Sequence, residues 1–199
     1  MVTLRGFRIS ARIFAFAFLL LLVGAGLVGV SWWLRPISDA EQALRDGNLQ
    51  RAAERYGAAR ARFDKIAITR TLLPGTYNLV SGNELSLQYS LEQYDDILEK
   101  AGTSGDNNAA SFWAGCALFD KALMEEKPEA RVAWVSQAHQ EFRRALELTP
   151  DDWDAKFNFE LTGKLTSGLQ KQPKTSKQDM MKLLRESPKT DRQAVKKIG

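Results

Sequence analysis

Few side chains in this sequence can carry chemistry. It holds one histidine, His139, and one cysteine, Cys116. Nucleophilic catalysis needs a nucleophile within reach of a positioned base. No serine or cysteine motif surrounds His139, which reads as a partly exposed helix residue. Cys116 lies in an apolar helical segment with no histidine or carboxylate partner expected beside it, so it reads as a small buried hydrophobe. With one cysteine there is no intramolecular disulfide. The run Asp151, Asp152, Asp154 invites a cation-site reading. Calcium loops, however, place oxygen ligands at alternate positions with a glycine and a distal glutamate, and Trp153-Asp154-Ala155 does not follow that pattern. Helix capping accounts for these carboxylates. No glycine loop of the phosphate-cradling kind occurs. The expectation is no catalytic, cofactor-binding or metal-binding residue, and a protein that is not an enzyme.

These residues sit on or beside one stretch, Ala138 to Leu161. Ala138, Phe142, Ala145 and Leu146 recur at helical spacing. Arg143 and Arg144 suit the C-terminal end of a helix dipole. Thr149-Pro150 stops that helix, because proline disfavours helical geometry at the residue before it. Asp151 and Asp152 are N-cap types. Trp153, Ala155, Phe157, Phe159 and Leu161 then open an apolar-rich second helix, with Trp153 expected to be buried at the seam. Ala52, Tyr56 and Ala59 repeat the spacing of Ala138, Phe142 and Ala145, a degenerate internal repeat. Ile97 offers a third register point, at intervals longer than a regular tetratricopeptide array.

Around this stretch the spacing predicts an all-α chain. Residues 13–34 carry no charge. As a helix they reach about 33 Å, against a hydrocarbon core of about 30 Å. Trp32 and Trp33 fit an interfacial aromatic belt at one end, and Arg5, Arg8 and Arg12 crowd the other, which places residues 1–12 in the cytoplasm. A retained signal anchor is favoured; a signal peptide cleaved near Gly24-Ala25-Gly26 is the competing reading. Ala25 and Gly29 form a small-xxx-small pair that would allow weak anchor dimerisation.

After the anchor, residues 36–170 read as a helical-repeat domain. Pro36 is expected to end the spanning helix or start the next. A helix follows from Leu49 to about Ile66, then a loop at Leu72-Leu73-Pro74-Gly75. Further helices run over 77–91, from about Gln93, over 109–126 and over 128–148. A polar linker is expected at 102–108. The core is expected in 109–165. Residues 171–199 lack apolar periodicity and read as a basic, disordered tail.

Charge is segregated. Of 28 basic and 24 acidic residues, four bases and no acid fall in 1–35, and nine bases and three acids in 171–199. That leaves 15 bases and 21 acids in 36–170, so the folded part is acidic and offers no basic face for nucleic acid.

Tyr77-Asn78-Leu79 with Gly82-Asn83, the helix through Trp113, and Leu148 to Leu161 with its Asp152-Trp153-Asp154-Ala155, Asn158 and Glu160 resemble one family. These are the single-span tetratricopeptide proteins that accompany MoxR-type ATPases and von Willebrand A-domain proteins in bacteria. Some of them assist maturation of methanol dehydrogenase. The resemblance covers residues 13–165. It implies a single-pass inner-membrane protein with its C-terminal domain in the periplasm. It also implies that Ala138, Phe142, Ala145, Pro150, Asp152, Trp153 and Asn158 form a repeat seam. The partners implied are von Willebrand A-domain accessory proteins and methanol dehydrogenase, with a role in calcium loading or assembly. A general envelope interaction module unrelated to methanol is the alternative.

Overall fold

The computed structural model describes the backbone of residues 4–171 apart from Asp106, and the side chains of Phe14 and of residues 16–169. Every element among them is an α-helix: α1 (Leu4–Arg45), α2 (Leu49–Lys65), α3 (Ala67–Leu72), α4 (Pro74–Ser90), α5 (Tyr94–Thr103), α6 (Asn108–Met124), α7 (Pro128–Leu148) and α8 (Trp153–Lys171). The expected tail lies outside the described residues, except for Lys171. Contacts divide the chain into two units, Met1–Leu73 and Pro74–Gly199.

In the first unit α1 is long and apolar enough to cross a membrane, and none of its apolar stretch is buried. The expected break at Pro36 does not occur, for α1 continues to Arg45. Proline in a helix removes the hydrogen bond to the carbonyl four residues back, here that of Trp32. The Arg62 guanidinium supplies a replacement, donating to Trp32 O at 3.0 Å and Trp33 O at 2.6 Å. The turn at Gly47 (φ 73°) then reverses the chain, a left-handed conformation that glycine adopts without strain. Asn48 caps α2, its Oδ1 accepting from the N–H of Arg51 at 2.9 Å. Ala52, Tyr56, Ala59 and Phe63 bury one face of α2, and α2 packs on α1. The Trp33 and Phe63 rings meet edge to face at 4.5 Å.

The expected loop at 72–75 shrinks to Leu73 alone. Pro74 opens α4, since its fixed φ suits a first helical position. The expected linker at 102–108 is also shorter, because α5 runs to Thr103 and α6 starts at Asn108.

In the second unit α6 packs against α4, α5 and α7, and α8 packs on α7. Mean apolarity and small residues suit α6 to this place: Ala110, Ser111, Ala114, Gly115, Ala117, Leu118 and Ala122 are all buried. Phe142 sits over Gly115, and a Cβ there would lie 2.7 Å from its ring. The close approach of α6 and α7 therefore depends on that glycine. The core is wider than 109–165. It takes in Leu85 and Ile97 on one side and Leu169 on the other. Along α4 it is partly polar: Asn107 Nδ2, at the start of α6, donates to Ser81 Oγ at 3.4 Å, and Lys100 of α5 pairs with the buried Glu84 at 2.6 Å.

Candidate interaction surface

The expected seam residues separate into three environments. Ala138, Phe142 and Ala145 are core, each at most 1% exposed. Asp152 is a helix cap: its Oδ1 accepts from the N–H of Ala155 at 3.0 Å, and its Oδ2 from Asn108 Nδ2 at 3.3 Å. Pro150 is exposed in the turn, and Asn158 donates to the Asp154 carbonyl at 2.8 Å. Trp153 is not buried. It is 78% exposed, with the Lys156 ammonium 5.0 Å from its ring centre. The buried face of α8 is Ala155, Thr162, Leu165 and Leu169. Trp153 and Phe157 each lie two residues, about 200° of helix rotation, from Ala155 and so point away.

Trp32 is exposed on α1 and Trp33 half-buried against Phe63. Arg5, Arg8 and Arg12 fall within α1, but their side chains lie outside the described residues.

His139 is half-buried, as expected, and packs between α7 and α8. Its ring stacks on Phe159 at 4.3 Å, and Nδ1 lies 3.1 Å from Phe159 O and 3.2 Å from Thr162 Oγ1. Cys116 is half-buried, and it does have a carboxylate neighbour: Asp120, one turn on. Burial, then the charge of Asp120, pushes the thiol up to about 12. A thiol held that high stays protonated at neutral pH and lacks the thiolate needed for attack. Among the described residues no cluster of three or more histidine, cysteine or acidic side chains is gathered for a metal.

What the fold does assemble is a groove that sequence periodicity did not reveal. Its floor is α6, and α5 and α7 form its walls. Two hollows share Trp134 as a common wall. One, of about 550 Å³, is bordered by Tyr94, Asp95, Lys121, Met124 and Trp134. The other, of about 250 Å³, is bordered by Leu98, Ala101, Ala114, Leu118, Trp134 and Glu141. Lys121 reaches across the first to Asp95 at 2.5 Å, with its ammonium 5.4 Å from the Trp134 ring centre. Beneath it the Tyr89 hydroxyl donates to Asp120 at 2.5 Å and that of Tyr94 at 3.3 Å. Burial first, and then this bond to Asp120, raise the titration of Tyr89 well above the usual phenol range. Arg131, buried, fixes the backbone at one border of the groove by donating to the Glu125 carbonyl at 2.7 and 3.1 Å. Glu125 is half-buried, and its carboxyl titrates below the usual range because the N–H of Lys127 donates to it.

The groove combines an aromatic wall with an acidic border of Glu92, Asp95, Glu125, Glu126 and Glu141, against Lys121, Lys127 and Arg144. Such a site can hold an apolar side chain flanked by positive charge. Two aromatic residues, one from α5 and one from α7, meet there only because both helices lean on α6, so no local spacing announces it. No protein-family model, curated protein or solved structure matches the chain.

Proposed function

We propose that this chain is a non-catalytic, membrane-anchored accessory protein that holds a segment of a partner protein in the α5–α7 groove. The observation that carries this reading is the open groove around Trp134, in a chain whose α1 can span a bilayer. Aromatic side chains at a partly desolvated hollow are the residue types that dominate protein interfaces. In this reading α1 is a retained single-pass anchor with a cytoplasmic N-terminus, and residues 36–170 are a degenerate tetratricopeptide-like domain in the periplasm. Burial of the matching triplets Ala52–Tyr56–Ala59 and Ala138–Phe142–Ala145 supports the repeat.

The family resemblance narrows the client. An MxaK-like protein would assist assembly or calcium loading of methanol dehydrogenase, beside von Willebrand A-domain partners. A tethered holder acts by raising the local concentration of what it binds. Deleting the chain should therefore leave dehydrogenase polypeptide present but poorly active, with part of the activity restored by high calcium. Met124→Glu, on an exposed wall of the groove, should reproduce the defect while the protein stays in the membrane. A phosphatase fused after Gly199 should be active. Normal methanol oxidation in the deletion strain under limiting calcium would overturn the methanol assignment in favour of a general envelope module. A silent phosphatase would overturn the topology.

A further inference from the structure

The end of the first unit carries an apolar surface that the groove does not use. Ile66, Ile68, Leu72 and Leu73 are between 41 and 69% exposed, all on or beside α3. Ile68 and Leu72, one helical turn apart, share a face of α3 and are the two most exposed of the four.

The position of α3 along α1 follows from two contacts. Phe63 packs on Trp33, and Arg62 bonds the carbonyls of Trp32 and Trp33. The α1–α2 hairpin thus rises from Trp33 to its turn after Arg45, about 18 Å at 1.5 Å per residue. It then returns along α2 to the level of Trp33. The chain leaves α2 at that level. There α3 is pinned to the end of α2: Arg70 pairs with Asp64 at 2.5 Å, and Thr69 Oγ1 donates to Ile66 O at 2.6 Å. Trp32 and Trp33 also lie within the last three residues of the uncharged stretch of α1, where an interfacial belt belongs.

We propose that α3 is an interfacial helix that seats Ile68 and Leu72, which share one face, in the headgroup and upper acyl region of the bilayer that α1 crosses. This rests on the anchoring reading of α1. The occupant of this face is lipid because α3 leaves α2 at the level of Trp32 and Trp33, where the uncharged stretch of α1 runs out. A short apolar segment held at the depth of an aromatic belt meets the headgroup–acyl boundary, where amphipathic helices lie. Three contacts then hold the first unit upright: the span, the Arg62 bonds, and α3 lying on the surface.

The test uses the full chain with Cys116→Ser, in phosphatidylcholine–phosphatidylglycerol vesicles. A single nitroxide-labelled cysteine replaces Leu19, Asp46, Ile68 or Leu72 in turn. Relaxation by oxygen reports lipid, and relaxation by a water-soluble nickel chelate reports solvent. The Leu19 label should read as deep and the Asp46 label as aqueous. The Ile68 and Leu72 labels should read as shallow lipid, with nickel access several-fold below that at Asp46. Nickel access at both equal to Asp46, with Leu19 still deep, overturns the inference and leaves the anchor standing. An aqueous Leu19 label overturns the anchor and the inference together. Spin–spin broadening at Ile68 and Leu72, absent on dilution with unlabelled chain, would show a second copy on the surface and overturn the lipid assignment. With Ile68→Glu and Leu72→Glu together, a label at Thr71 should gain nickel access; no change in it would also overturn the inference.

Discussion

Two mid-helix glycines in the second unit should respond to alanine with opposite signs. Gly82 lies in α4 and Gly115 in α6. Replacing glycine by alanine inside a helix gains about 1 kcal/mol of propensity. At Gly82 the new Cβ would meet only the Ala109 Cβ, at 3.5 Å, an ordinary contact. Gly82→Ala should therefore stabilise by up to about 1 kcal/mol. At Gly115 the same atom would lie 2.7, 2.8 and 2.9 Å from three carbons of the Phe142 ring. Carbon atoms at their best separation are about 3.5–4.0 Å apart, so the ring or a helix must move. The ring has little room, being 1% exposed among Leu118, Ala138, Phe112 and Phe159. Overpacking of this kind costs about 1–3 kcal/mol. Set against the propensity gain, the net is a loss of about 0–2 kcal/mol, and the two variants should differ by about 1–3 kcal/mol. In a domain of roughly 100 residues that is about 5–20 °C in midpoint. The assay is thermal unfolding of the full chain in detergent, followed by circular dichroism at 222 nm. Adding Phe142→Leu should cost less in the Gly115→Ala background than in the wild type, a coupling of the kind neighbouring residues show. Equal midpoint gains for both alanine variants would show that α6 and α7 do not approach as closely as the structure has them.

Other outcomes follow from the same contacts. Phe142→Ala should cost about 3–5 kcal/mol as a buried aromatic, whereas Trp153→Ala should cost under about 1 kcal/mol, since only an exposed cation–π contact with Lys156 is lost; equal losses in urea unfolding would return Trp153 to the core. Tyr89 titrates above its ordinary 10.0 when folded, and Cys116 rises from 9.0 to about 12. Their contributions are complete below the unfolded values and fade as pH climbs through the folded ones. The midpoint should thus hold from pH 7 to 9 and fall above it, with a shallower fall in Tyr89→Phe; an unaltered fall in that variant would refute the role of Tyr89. Arg62→Met should leave the Trp32 carbonyl without its donor, at about 1–3 kcal/mol, and speed hydrogen exchange in α2. Pro36→Ala restores the helical N–H and should recover part of the loss; no recovery would mean that Arg62 acts only by packing.

The parts of the fold legible in the sequence are those with local punctuation. Pro128 opens α7 at its first position, and Thr149 closes it before Pro150. Asp152 caps α8 as its type and place suggested. The matched alanine–aromatic–alanine triplets are buried because each presents one face at helical spacing. The groove was not legible. Tyr94, Lys121 and Trp134 belong to three helices and meet through crossing geometry that no single helix encodes.

Two errors of the sequence reading have distinct physical origins. Trp153, Ala155, Phe157, Phe159 and Leu161 are spaced by two, a strand period, while the segment is a helix. A helix advances about 100° per residue, so alternate residues fall on nearly opposite sides and cannot all enter one core. Thr162, Leu165 and Leu169 fix the phase together with Ala155, and that phase turns Trp153 out to solvent. Size and apolarity suggested burial there; rotation decided against it. The second error is of range. A proline in a polar-flanked segment reads as a helix end because its lost hydrogen bond has no visible substitute nearby. The substitute comes from Arg62, 29 and 30 residues further along the chain from the two carbonyls it serves. With α1 read as an anchor that ends near Trp32, this carbonyl has less water to turn to than one on a soluble helix, and an internal donor is worth more there. That same donor ties the end of α2 to the level of Trp32 and Trp33, and so decides where α3 must lie.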